Sequence, residues 1–468
     1  MKPRKQVLQE ELFPFVEMEK LIPENHILRL IDRYVDFSFI DELVDHTYSE
    51  TTGRPAEDPE LMVRILTLGY LYNLSENRLF EELKMHAAYR WFCNFGFHEK
   101  VPDRSTLNRL RNHRWARDGF FERIMHNIVK QCIMAGLVSG KHLAVDGTKI
   151  RANASIKSLE PIVVEAELDD YLDRLSLKPR SKSDNEDDTH PDDKDFRGEK
   201  LSNETHRSTT DPDARLYKKS QGQEASLSYV GNNLIDTKSR VILATKVTQP
   251  SISTESDAAL EMLDSLAATG LSKNIQTLAT DKGYGSTEFI TDLIDRGITP
   301  HIPLLAVSDI EPVPTWKTKT YIPERQLKRD KKVKQVLARN YARQLTQTPE
   351  YKLSQKLRKR VEHIFAEAKI CHGLGRARCR GLSAMQQQLT MTAFVQNIKR
   401  LVRFMHRKYT NAAVLTLKTR INASNQTAIG RFFIKHPIVY QLLYIYWLYQ
   451  KKCYVLPTFS WRGLSHDF

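Results

Sequence analysis

Residues 141–147, KHLAVDG, and residues 275–285, IQTLATDKGYG, govern the interpretation of the chain. Each is a short apolar run ending in an aspartate, with a glycine one or two residues further on. Such a run, bounded by turn formers, reads as a buried strand. The aspartates are Asp146 and Asp281. In open α/β sheets ligands collect at the carboxyl ends of strands. If these two strands are neighbours, both carboxylates face one crevice. Close carboxylates repel unless a proton or a cation lies between them, and a divalent metal ion resolves that repulsion. An aspartate before glycine also serves as a turn former. Either residue alone is therefore ambiguous, and only the repeated context favours a metal site.

The segments around these strands fit an α/β domain. Residues 225–236 (ASLSYVGNNLID) and 239–249 (SRVILATKVTQ) read as an antiparallel pair about a turn at 236–238. Residues 257–266 are helical, 286–297 (STEFITDLIDRG) form a capped helix closed by Gly297, and 298–305 form a further strand. Two long helices follow, over 353–369 and 383–405. Strand, hairpin, helix, strand, helix, strand, helix implies a mixed sheet with flanking helices. Residues 161–175 (PIVVEAELDDYLDRL) read as an amphipathic helix, and a polar insertion is expected around 176–210.

Before residue 138 the texture is helical. In DPELMVRILTLGYLYN (58–73) apolar residues recur at three and four, with Pro59 suited to the first turn. Ser75 offers a cap for the next helix, and Asp103 or Ser105 for a third that carries Arg109, Arg111 and Arg114. Two helices about a tight turn, then an arginine-rich one, suggest contact with a DNA groove. An ordinary helical bundle is the plainer alternative. Three domains are thus expected: a helical DNA-binding domain over 1–138, an α/β domain over 139–410, and an aromatic-rich C-terminal extension over 411–468.

Charge points to a polyanion. The chain of 468 residues has 71 Lys+Arg against 57 Asp+Glu, a net +14. Between Lys317 and Arg360 fifteen Lys/Arg face three acids, Glu324, Asp330 and Glu350, so most of the excess is local. Each phosphate such a block neutralises releases condensed counterions. Five cysteines form no disulfide framework and suit a reducing compartment. Cys371, His372 and Cys379 lie close in sequence, but no Cys-x-x-Cys pair completes a zinc site. MKPRKQVLQEELFPF lacks the apolar core of a secretory signal, and IVYQLLYIYWL (438–448) is too short to span a bilayer. No membrane association is expected.

A third carboxylate is harder to see. In KLRKRVEHIFAEAK (356–369), Arg358, Glu362 and Lys369 stand at i, i+4 and i+11, on one face of a continuous helix. Taken alone, Arg358 and Glu362 are a surface ion pair worth about 0.5 kcal/mol. Asp211 and Asp213 in TDPDAR are rivals for Asp146, but Pro212 between them and the absence of a preceding strand favour a structural turn.

The ordered motifs VDGTKIRANAS, STTDPDAR, TDKGYGS, Arg-x3-Glu-x6-Lys and CRGLSAMQ…NIKRL resemble the DDE transposases of bacterial insertion sequences. GRPAEDPELMVRILTLGYLY is similar to the helical domain that precedes the catalytic domain in one large branch of them. The resemblance runs from about Glu11 to Met405. It implies an RNase H-like mixed five-stranded sheet, preceded by an all-α domain. Asp146 would be the first catalytic acid, on the first strand. Asp281 would be the second, on the fourth strand, and Glu362 the third, on a helix. Together they would hold two Mg²⁺ or Mn²⁺ ions. The family signature is Tyr-x2-Arg-x3-Glu-x6-Lys, and here Gln355 occupies the tyrosine position. The implied activity is metal-dependent cleavage and strand transfer at the ends of a mobile element. The partners would be double-stranded element-end and target DNA, bound by a homodimer in a bacterial cytoplasm, at the nucleoid. The DNA contacts expected are Arg358, Lys369, Lys282, Tyr284, Arg215, Lys328, Arg329, Lys331, Lys332, Arg109 and Arg111. An inactive DNA-binding regulator descended from such an enzyme, and a metal-dependent nuclease without strand transfer, are the alternatives.

Overall fold

The computed structural model describes residues 18–49, 56–96, 98–117, 119–162, 201–218, 224–250, 255–304, 311–315 and 323–424. The helix expected over 161–175, most of the polar insertion, and the aromatic segment of the C-terminal extension fall outside them. Leu159–Pro161 is instead a short strand, β2, paired with β3 (His206–Ser208).

Five strands build the central sheet, and a short sixth lies at its edge. β1 (His142–Arg151) pairs antiparallel with β5 (Ser226–Asp236), from Leu143↔Asp236 to Arg151↔Ser228. The outer edge of β5 is shared by β4 (Arg215–Tyr217) and β6 (Ile242–Thr248). On the other side β1 pairs in parallel with β7 (Thr277–Ala279), which pairs in parallel with β8 (Thr299–His301). The order β6-β5-β1-β7-β8, an antiparallel trio continued by two parallel strands, is that of an RNase H-like sheet.

Helices cover both faces, which is why β5 is buried along nearly its whole length rather than in alternation. The N-terminal helices are α1 (Ile27–Tyr34), α2 (Phe39–Val44), α3 (Pro59–Leu71), α4 (Glu76–Met85), α5 (Ala87–Phe92), α6 (Arg104–Arg109) and α7 (Phe120–Met134). α8 (Glu255–Ser265) lies on β1, β5 and β6. α9 (Thr287–Asp295) packs on β8 and on the basic helix α10 (Pro323–Leu345). α11 (Pro349–Arg358) rests on β1, β7 and β8, and α12 (Arg360–His372) on β1. α13 (Leu382–Ser424) runs along β6 on the face opposite α8. Two glycines show how closely the layers approach. A methyl on Gly231 would lie 3.4 Å from Leu389 of α13, whereas one on Gly147 would meet Glu255 of α8.

α13 is apolar and amide-rich because it closes an edge. β6 has one side unpaired, and an open strand edge must be covered or blunted. Asn397 of α13 accepts from Ile242 N at 2.9 Å and donates to Ile242 O at 2.7 Å. Gln386 accepts from Val247 N and donates to Thr245 O. Two side-chain amides thus replace a missing strand.

α13 also packs on α7, α1 and α3, so the helices before residue 138 share one core with the sheet. This changes the expectation for the N-terminal helices. α3, capped by Asp58 with Pro59 in its first turn, is buried on every side and is part of that shared core. The helix expected over 353–369 is also corrected. It breaks at Lys359 into α11 and α12, and the bend lets α11 reach β7 and β8 while α12 stays on β1.

Candidate active site

The parallel register brings the two aspartates together. The last pair between β1 and β7 is Ala144↔Ala279, and Asp146 and Asp281 each lie two residues beyond it. β7 ends there and β1 does not. Asp146 is therefore in mid-strand, not at a carboxyl end as expected, but at the level where its neighbour stops. Asp281 caps the turn Lys282–Tyr284, its Oδ1 accepting from Gly283 N at 2.9 Å. Turn forming and site forming are the same act for this residue.

Asp146 is mostly buried. Its Oδ1 accepts from Gly147 N at 2.8 Å and its Oδ2 from Arg358 Nη1 at 3.0 Å, with both side chains of the ion pair only 16% exposed. Burial raises its carboxyl above the usual range. The Arg358 guanidinium and the Gly147 N–H oppose the rise, and the negative charges of Asp281 and Glu362 add to it. Glu362 stands exposed in the first turn of α12. The charges of Asp281 and Glu362 thus both reach Asp146.

Arg358 is not the helix-surface partner of Glu362 that its spacing suggests. It ends α11, on the other side of the break, and turns inward to Asp146. One turn earlier Gln355, at the signature's tyrosine position, donates to Thr280 O and His301 O. It clamps the ends of β7 and β8 next to Asp281. Tyr351 meets the His301 ring edge-on, with centroids 5.7 Å apart.

One further acid joins the site. Glu255 opens α8, and burial raises its carboxyl, as do the charges of Asp281 and Asp146. Tyr284 lies behind it with its ring 0% exposed. Its hydroxyl is turned toward Glu255 without completing a full hydrogen bond. Tyr284 is thus a buried support and not a surface contact. Sequence reasoning missed Glu255 because an acid at a helix N-terminus is an ordinary dipole-satisfying choice.

Among the described residues no three His, Cys, Asp or Glu side chains form a ready-made metal cage. The donors nevertheless fit a hard divalent cation. They are all oxygens, the charges of Asp281 and Glu362 raise the proton affinity of Asp146, those of Asp281 and Asp146 raise that of Glu255, and the Arg358 guanidinium supplies positive charge beside Asp146. Asp211 and Asp213 are structural. Asp211 accepts from Tyr229 Oη and Gly381 N, and Asp213 from Leu382 N, so both anchor the start of α13. Cys371, His372 and Cys379 form no metal-holding group among the described residues, and His372 Nδ1 bonds to Tyr70 O.

The basic residues fall into two groups. Lys282, Lys328, Lys331, Lys332 and Arg109 are exposed, and Lys331 lies 3.6 Å from Glu288. Arg329 and Lys369 are half-buried, Lys369 two turns along α12 from Glu362. Arg215 is held to Pro212 O at 2.6 Å. Arg111 departs from expectation. It is 12% exposed, pairs with Glu76 at 2.5 Å and donates to Cys379 Sγ, so it joins the helical part to the loop before α13.

A family model described as a transposase domain matches residues 16–113, and one described as a transposase DDE domain matches residues 139–398. Neither a curated protein nor a solved structure matches the chain.

Proposed function

The chain belongs to the DDE transposases, and we propose that Asp146, Asp281 and Glu362 form its catalytic centre for cutting and rejoining DNA. The observation that carries this is the register of β1 and β7, with Asp146 and Asp281 each two residues past Ala144↔Ala279. Glu362 joins them through its charge on Asp146. The three carboxylates would hold two Mg²⁺ or Mn²⁺ ions, whose chemistry is to activate the attacking oxygen and stabilise the leaving one.

The remaining steps belong to the chain. In the first cut, a water oxygen bonds to phosphorus as the P–O3′ bond breaks, and the released 3′-oxygen is protonated. In strand transfer, that 3′-oxygen bonds to a target phosphorus and displaces the target's own 3′-oxygen. Gln355 fixes Asp281 by holding the ends of β7 and β8. Arg358 neutralises Asp146 in the resting site and is placed to move to a backbone phosphate when substrate arrives. Lys369 lies further along the same helix for a second phosphate. The exposed cations of α10, with Lys282, Arg215 and Arg109, would carry the flanking duplex. The protein would work as a homodimer in the bacterial cytoplasm, pairing two element ends.

Labelled element-end DNA incubated with Mg²⁺ and target plasmid tests this. Joined products are expected, and they vanish in Asp281→Asn. Nicks without joined products would indicate a nuclease. DNA binding with neither product would indicate an inactive regulator.

A further inference from the structure

The bare Cα atoms of Gly147 and Gly283 adjoin the aspartates, and a carboxylate oxygen of Glu255 approaches each of them. A methyl on Gly147 would lie 2.8 Å from Asn232 Oδ1, 3.1 Å from Val230 Cγ1 and 3.3 Å from Glu255 Oε1. One on Gly283 would lie 3.1 Å from Asp281 Oδ1 and 3.8 Å from Glu255 Oε2. Each oxygen of the Glu255 carboxylate thus approaches a glycine that another acceptor also approaches. Asn232 is 0% exposed. Its amide N–H groups are bonded to Lys246 O and Thr248 Oγ1, but its Oδ1 has no partner and faces Gly147. A buried acceptor without a donor costs about 1–3 kcal/mol. Asp281 Oδ1 has a donor in Gly283 N and the Tyr284 hydroxyl is turned to Glu255, but Asn232 Oδ1 has none, and carboxylates gathered this closely are relieved of their repulsion by a cation.

We propose that Glu255 is a fourth carboxylate of the metal centre, reaching the ions from α8 while Glu362 reaches them from α12. This rests on the placement of the metal ions at Asp146 and Asp281. Charge supports it. Two divalent ions and the Arg358 guanidinium carry five positive charges against three from the acids, so a fourth carboxylate reduces the excess. The glycines fit the same picture. Neither Gly147 nor Gly283 has a positive φ, so their bare Cα atoms serve the space that the oxygens share.

The test uses the full-length protein, stripped with EDTA and titrated with Mn²⁺, with free ion followed by electron paramagnetic resonance. Asp281→Asn is the control and loses Mn²⁺ binding. Glu255→Gln is expected to weaken binding by about tenfold or more, or to lose one of two ions, with its melting temperature in EDTA no lower than that of the parent. Wild-type Mn²⁺ binding in Glu255→Gln, with binding lost in Asp281→Asn, overturns the fourth ligand alone. Wild-type binding in both overturns the placement of the metal centre as well. If Glu255→Gln does not fold, Gly147→Ala examines the same space, and undiminished Mn²⁺ affinity there refutes the proposal.

Discussion

Replacing Arg358 by methionine keeps the length of the side chain and removes the guanidinium bonded to Asp146. At 3.0 Å, unit charges in a medium of effective dielectric about 20 attract by roughly 5 kcal/mol. Desolvation offsets part of that, and removing one partner of a buried pair typically costs about 3–5 kcal/mol. Both side chains keep 16% exposure, so screening lowers the expectation to about 2–3 kcal/mol. The cost depends on pH with a definite sign. The Asp146 carboxyl already lies above its unfolded value, and losing Arg358 raises it further. A group raised on folding loses stability as pH rises through its folded value. The penalty is therefore small near pH 4 and largest at pH 7–8. The assay is a double-mutant cycle of Arg358→Met and Asp146→Asn, read by denaturant unfolding in EDTA at both pH values. A coupling of about 2 kcal/mol at pH 7.5 is expected. A coupling below about 0.5 kcal/mol, or one unchanged at pH 4, would show that the guanidinium does not compensate this carboxylate.

Other consequences follow from the same structure. Burial would push the Glu367 carboxyl up, but His372, Lys399 and Arg400 outweigh it and hold the group well below the usual range. Its stabilisation is present above the unfolded value and is lost as pH falls toward the folded one. Glu367→Gln should cost about 3–5 kcal/mol at pH 7 and flatten the acid limb of a stability profile. Asn397→Leu removes both bonds to Ile242 and leaves the edge of β6 bare, at a cost of about 2–3 kcal/mol in urea unfolding. A cost under about 0.5 kcal/mol would mean the edge needs no such cover. Neutralising Lys328, Arg329, Lys331 and Lys332 should reduce the slope of log binding constant against log salt by about 0.9 for each phosphate that is no longer neutralised. An unchanged slope would place the DNA away from α10.

Asp146 and Asp281 are legible because strand texture and a following glycine are local properties. Their alignment is not, because register depends on which strands become neighbours. The positions of the two in their strands differ for the same reason: β1 continues past Asp146 along β5, which no residue near Asp146 announces. Glu362 can be named only through its spacing to Arg358 and Lys369, and that spacing assumes a continuous helix. The break at Lys359 has neither proline nor glycine to mark it, and it accompanies the reach of α11 across to β7 and β8 while α12 stays on β1. Gln355 looks like a defect in the signature, and its clamp on Thr280 and His301 shows only in three dimensions. Arg111 and Tyr284 are the wrong kind of candidate. A sequence does not say that an arginine will be drawn into Glu76, or that a tyrosine beside a turn will point into the core.

Fe²⁺ substituted for Mg²⁺ tests whether Asp146, Asp281 and Glu362 converge on one metal site. With ascorbate and peroxide, bound Fe²⁺ generates hydroxyl radicals that cut the backbone nearby. Fragment masses should place cuts around residues 146, 281 and 362 in the same protein, suppressed together by excess Mg²⁺ and lost in Asp281→Asn. Cuts near only one of the three, or cuts that persist in Asp281→Asn, would contradict a shared site.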